Sequence, residues 1–146
     1  MKEKTIFKTI LHILGMSFLL NFIWENIQMP LYKGYSYTHF WQHIPICLTA
    51  TIGDVLITLF LFIIFSIVLE DLFWYKKLNF KIIFLVVTMG GVINIVIEKI
   101  MLQAGWWVYT GNMPILPFIQ VGFVPIIQMM TLPSLTFYII SRVDKN

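Results

Sequence analysis

The stretch IIFLVVTMGGVINIVIEKIML, residues 82–102, decides what kind of protein this is. Its only charged residues are Glu98 and Lys99, close to one end. An α-helix rising ~1.5 Å per residue carries a run of this length across the ~30 Å hydrocarbon core of a bilayer. Backbone N–H and C=O groups in lipid must be satisfied within the segment, so only a helix suits such a run. Comparable runs lie at Thr9–Ile27, Ile44–Leu69 and Ile115–Ile140. The sequence therefore predicts an all-α, polytopic integral membrane protein, a four-transmembrane-helix bundle forming a single transmembrane domain over residues 1–146.

Composition agrees with that reading. The chain is 59% hydrophobic and 12% charged, with a mean hydropathy of +0.85. A soluble domain carries about 25% charged residues and about 45–50% apolar ones, so too little polar surface is present here to cover a soluble fold. The net charge of +3 does not point to nucleic acid. Eight of the ten Lys and Arg residues fall into short groups between apolar runs, which is a topology signal. Lone Cys47 excludes an intrachain disulfide, a CxxC redox pair and a thiolate metal cluster. It reads as a small buried hydrophobe.

Orientation follows from the positive-inside rule. Lys2, Lys4 and Lys8 precede the first span, and Lys33 alone lies in the first loop. Lys76, Lys77 and Lys81 mark the second loop, the third loop has no Lys or Arg, and Arg142 and Lys145 follow the last span. This alternation predicts an N-in/C-in protein of the cell (inner) membrane with both termini cytoplasmic. The basic start is not followed by a small-residue cleavage site, so the first run reads as an uncleaved helix. Pro125 and Pro133 fall within the fourth run and predict a bent or broken helix.

Ionisable groups inside spans are costly and mark candidate sites. Glu25, Asp54 and Glu98 are the three acids there. Each belongs to a polar stripe at helical spacing: Ser17, Asn21, Glu25 and Gln28 on the first helix; Thr51, Asp54 and Thr58 on the second; Gly91, Asn94 and Glu98 on the third. Gln120, Gln128 and Thr131 form a looser face on the fourth. One stripe per helix predicts a shared polar interior. Glu25 and Glu98 each lie 17 residues beyond a basic residue (Lys8 and Lys81), or ~26 Å of helical rise. Asp54 sits about 15 Å inward from Ile44. A pocket near the extracytoplasmic side is the simplest arrangement. The competing reading places Glu25 and Glu98 in headgroup water and leaves the stripes as helix–helix hydrogen bonding.

The outer loops are aromatic: Tyr32, Tyr35, Tyr37, Phe40 and Trp41 in the first, Trp106, Trp107 and Tyr109 in the third. They suit an interfacial belt, or the wall of a pocket that stacks on an apolar or cationic ligand. His39 and His43 are spaced i, i+4, a weak metal signal without a third ligand, so no metal and no cofactor is expected. His12, near the inner end of the first helix, reads as a satisfied or snorkelling histidine. Trp106 to Tyr109 and the proline-rich start of the last run resemble membrane carotenoid cyclases in four residues. Those proteins carry paired acids after a proline where this chain has Pro125-Ile126-Ile127-Gln128, so the resemblance carries no function over.

Three functions stay open. An intramembrane acid/base enzyme on a lipid or isoprenoid-like substrate would use Glu25 and Glu98 as acid and base and Asp54 to tune them. Asn21, Gln28, Asn94, Trp106, Trp107, Tyr109, Gln120 and Gln128 would bind the substrate. A proton-coupled small transporter would have to act as a dimer, and a non-catalytic membrane subunit would use the stripes only to hold helices together. Expected partners are membrane lipids, a lipophilic small molecule and a second copy of the chain as a homo-oligomer. No nucleic acid is expected.

Overall fold

A computed structural model describes residues 2–34 and 40–144, with only the backbone described at residues 2–4 and 40. The long helices are α1 (Lys2–Gln28), α2 (Phe40–Val68), α3 (Phe80–Gln103) and α4 (Phe123–Val143). Each contains a segment long and apolar enough to cross a membrane. Large apolar side chains face outward along their flanks, among them Leu19, Ile23, Leu56, Phe60, Ile63, Val92 and Val96, all more than a third exposed. The buried residues include Ser17, Asn21, Glu25, Thr51, Thr58, Asn94, Glu98 and Gln128. This pattern, apolar outside with a polar stripe inside, is the arrangement expected in lipid.

The fourth apolar run is not one helix. Residues 115–122, expected within the span, form a hairpin, β1 (Ile115–Leu116) against β2 (Val121–Gly122), with Leu116 opposite Val121. Its turn closes through Gln120, which adopts a left-handed φ of 55° and donates its N–H to the Leu116 carbonyl at 2.8 Å. Hydropathy could not separate this hairpin from a helix because Ile115, Leu116, Phe118, Ile119 and Val121 are all apolar. The later start moves Pro125 into the first turn of α4, where its missing N–H is an orphan position anyway. Only Pro133 lies inside, and α4 continues through it to Val143.

α2 begins at Phe40, four residues before the apolar run, which makes Pro45 an interior residue. It ends where Glu70 turns left-handed at φ 50° and Asp71 folds back to the Ser66 carbonyl at 3.2 Å. Asn79 then caps α3, its side-chain oxygen accepting the Ile82 N–H at 3.1 Å. At the other end of α3, Gly105 takes φ 71° and Trp106 donates to the Met101 carbonyl at 3.0 Å, a Schellman-type stop.

α1 packs against α2 and α4, and α3 packs against α4, while α2 and α3 meet little. The helices therefore run in the order α2–α1–α4–α3. Two features set this order. At Gly90 on α3 an ideal Cβ would lie 2.1 Å from the Met129 carbonyl oxygen of α4, so the two backbones are in direct contact. Met129 is the residue four before Pro133, whose absent N–H frees that carbonyl. At the basic end of the bundle a plug of Ile13, Leu61, Phe62, Phe65, Trp74, Tyr75, Val86 and Phe137 fills the interior. Trp74 stands edge-on to Phe137 with ring centroids 4.9 Å apart, and it donates its indole N–H to the Phe62 carbonyl at 3.3 Å.

The same end is tied to the C-terminus. Asp144 accepts hydrogen bonds from Tyr75 (2.7 Å) and Thr9 (3.2 Å), and its other oxygen lies 2.8 Å from His12 Nδ1. Lys76 donates to the Asp144 carbonyl at 2.9 Å. Partial burial pushes the Asp144 carboxyl up, but the bonds from Tyr75, His12 and Thr9 outweigh it and hold the group below its ordinary range. Burial and the neighbouring carboxylate push the Tyr75 phenol well up.

Candidate functional site

The acids gather in the half of the bundle away from the plug, around the amide of Gln128. This residue faces inward from α4, two turns after the hairpin, and is 2% exposed. Its Nε2 lies 2.9 Å from Glu25 Oε1, 2.8 Å from Asp54 Oδ2 and 3.0 Å from Asn21 Oδ1. An amide has two N–H groups, so these three acceptors share them. Its Oε1 accepts from Gln28 Nε2 at 3.0 Å, and the same Gln28 nitrogen donates to Glu25 Oε1 at 2.6 Å. Trp24 fixes Gln28 in turn, donating its indole N–H to Gln28 Oε1 at 3.1 Å. Asn21 is held from below by its Nδ2 bond to the Ser17 carbonyl at 2.9 Å. The i, i+4 spacing of Ser17, Asn21 and Glu25 lets one face of α1 supply these groups together.

Glu25 Oε1 and Asp54 Oδ2 thus meet on one Gln128 nitrogen, which brings a carboxyl group of α1 and one of α2 together. The pair links α1 to α2 across a neutral amide from α4. Glu25 is buried and Asp54 half-buried.

Glu98 belongs to a second constellation. It is buried on α3, close enough to Glu25 and Asp54 to act on them electrostatically. Trp107 donates its indole N–H to Glu98 Oε2 at 3.3 Å, and the Tyr109 hydroxyl donates to the same oxygen. Tyr109 oxygen accepts the Gly122 N–H at 3.1 Å, which ties Glu98 to the start of α4. Gly122 is closely packed there: a Cβ would stand 2.9 Å from Met113 Sδ and 3.1 Å from the Tyr109 ring, so Met113 would have to shift to admit one. Burial, then the bond to Glu98, pushes the Tyr109 phenol far up, so it stays a donor.

Loops from both sides close over these groups. Lys33 N–H donates to the Val108 carbonyl and Thr110 N–H to the Leu31 carbonyl, each at 2.8 Å, pairing Tyr32 with Tyr109 in an antiparallel bridge. The Tyr32 ring lies 5.5 Å from that of Tyr109 and edge-on to Trp107 at 6.3 Å. Burial and the charge of Glu98 push the Tyr32 phenol strongly up.

The sequence-derived residues thus divide. Asn21, Glu25, Gln28, Asp54 and Gln128 share one network, and Glu98, Trp107 and Tyr109 share the adjoining one. Asn94 is buried one turn from Glu98 on the same face, and its Nδ2 has no hydrogen-bond partner among the described residues. Thr51 Oγ1, one turn from Asp54, also has none among them. Trp106 and Gln120 are not brought in: Trp106 is 74% exposed, and Gln120 lies on the hairpin with its amide on the Pro117 carbonyl at 2.6 Å. Thr131 is exposed and bonds back to the Ile127 carbonyl at 2.7 Å. His39 lies outside the described residues, as do Tyr35 and Tyr37, and His43 is buried. Among the described residues no three His, Cys, Asp or Glu side chains are grouped to hold a metal ion. Sequence reasoning left Tyr32 between an interfacial belt and a pocket wall and did not count it among the substrate-binding residues; its nearness to the acid stripe, seven residues after Glu25, was the available signal. Comparison with protein-family models, with curated proteins and with solved structures finds no match to this chain.

Proposed function

We propose that this membrane protein is an intramembrane acid/base enzyme acting on a lipid or isoprenoid-like substrate. The observation that carries the proposal is the Glu25–Asp54 pair, two carboxyls held on the one Gln128 amide nitrogen in an apolar bundle. Two carboxyls brought together in apolar surroundings favour keeping one proton between them, and such a pair can serve as a proton store. Glu98, bound to Tyr109 and Trp107, is a second carboxyl from a different helix, so an acid and a base stand within one site. In the step proposed, the pair gives its proton to one substrate atom and Glu98 takes a proton from another. The substrate is isomerised, and the protein is restored when the proton returns from Glu98 to the pair. Asn94, whose amide nitrogen has no hydrogen-bond partner among the described residues, suits a polar oxygen of the substrate. The aromatic plug argues against a transport path, which needs openings at both ends.

Hydrogen exchange tests this even while the substrate is unidentified. Purified protein is incubated with a membrane lipid extract in D2O, and the lipids are followed by mass spectrometry. At least one lipid should gain deuterium or change its retention with the native protein. Glu25→Gln and Glu98→Gln should lower that rate by about 100-fold or more, the usual scale of acid–base catalysis. If no lipid changes, and Glu25→Gln, Asp54→Asn and Glu98→Gln all fold and leave the cellular phenotype intact, the network is helix glue and the proposal fails.

A further inference from the structure

On α3, the residues Val92, Val96, Lys99 and Gln103 are spaced i, i+4, i+7 and i+11 and share one face. The two valines are more than half exposed, forming an apolar track that leads to a cation and then an amide near the helix end. Lys99 makes no ion pair among the described residues, although Glu98 is its neighbour in sequence. One residue's rotation, about 100°, sends the acid inward and the ammonium outward. Beside Lys99 the hairpin folds back over α3 and leaves a cleft of about 320 Å³ lined by Lys99, Leu102, Gln103, Phe118, Ile119 and Gln120. Phe118, at the hairpin tip, is 99% exposed.

We infer that this cleft binds the phosphate diester headgroup of one anionic phospholipid, with an acyl chain lying on the Val92–Val96 track. The volume suits a headgroup and not a whole lipid. An ammonium and the Gln103 and Gln120 amides are a donor set for phosphate oxygens. The order along α3, apolar track then cation then amide, matches the order of chain, phosphate and polar head in a lipid. Phe118 anchors the hairpin in the same layer as an interfacial aromatic. The site is separate from the acid network, since Lys99 and Glu98 leave α3 in different directions, and it does not depend on the reaction proposed above.

Full-length protein exchanged into an equimolar mixture of phosphatidylglycerol and phosphatidylcholine is analysed by native mass spectrometry. Phosphatidylglycerol should be retained preferentially. Lys99→Gln should lower its retention about fivefold, the scale of one cation near an anionic headgroup, while Lys99→Arg preserves it. Lys33→Gln, which removes the exposed cation of the first loop, should have no such effect. Three results each overturn the inference: equal retention of both lipids by the native protein, an equal loss in Lys33→Gln, or full displacement of the lipid by inorganic phosphate. The last would make the cleft a plain anion site.

Discussion

Gly90→Ala is the substitution on which the α3–α4 contact can be judged. A Cβ at this position would lie 2.1 Å from the Met129 carbonyl oxygen, where real Cβ contacts are essentially never closer than 3.0 Å, so the helices must part by roughly 0.9 Å. No rotamer change can relieve this, because the obstacle is backbone. Overpacking of a filled interface costs about 1–3 kcal/mol, and a backbone clash belongs at the upper end. Alanine recovers about 1 kcal/mol of helix propensity, which leaves a net loss of about 2 kcal/mol. At 1.4 kcal/mol per decade that is roughly a 30-fold fall in the folded-to-unfolded ratio. Three further glycines calibrate the measurement. At Gly91 the nearest obstacle is the Met130 side chain at 3.0 Å, which can move, so Gly91→Ala should cost less. Gly15 and Gly53 have nothing within 4 Å, so alanine there should be neutral or stabilising. Unfolding by SDS titration in mixed micelles, followed by circular dichroism, should rank the variants Gly90→Ala least stable, then Gly91→Ala, then Gly15→Ala and Gly53→Ala. Gly90→Ala as stable as Gly53→Ala would refute the direct backbone contact and the helix order built on it. A shift of this size also moves Gln128 and Gly122 relative to α3, so any activity should fall further than stability alone explains.

Two more outcomes follow from the ends of the bundle. Asn112→Cys should react with an impermeant thiol reagent in intact cells and Lys77→Cys should not, with the parent chain, whose Cys47 is buried, as the blank; the reverse pattern would invert the orientation read from the basic residues. Because Asp144 is held below its ordinary range, its contribution is fully present above the unfolded value of about 3.9 and is lost as pH falls through the lowered folded value. Thermal unfolding of Asp144→Asn should therefore fall below the native protein at pH 7 and converge with it below about pH 4, whereas a constant gap across that range would assign the effect to packing.

Which side chains share a face was legible, because the helical period alone decides it. Asn21 with Glu25, and Asn94 with Glu98, are buried together as their i, i+4 spacing requires. Which residues of those faces become direct neighbours was not legible. Reading depth along each helix put Glu25 and Glu98 at one level and suggested them as acid and base, yet the two carboxyls that meet on the Gln128 amide are those of Glu25 and Asp54. That pairing depends on α2 and α3 lying on opposite sides of the α1–α4 pair, and helix order leaves no mark on hydropathy. The features that set the order here are a glycine against a carbonyl freed by Pro133 and a plug of Trp74, Tyr75 and Phe137. None of these carries a charge, and a scan for costly ionisable residues passes over them. The hairpin escaped notice for a related reason: its apolar side chains continue the hydropathy of α4, and only Pro117 and the left-handed Gln120 interrupt the helix. Yet the hairpin brings Gly122 under Tyr109, and Tyr109 holds Glu98. The acids announce that a site exists, while uncharged backbone geometry decides which of them become neighbours.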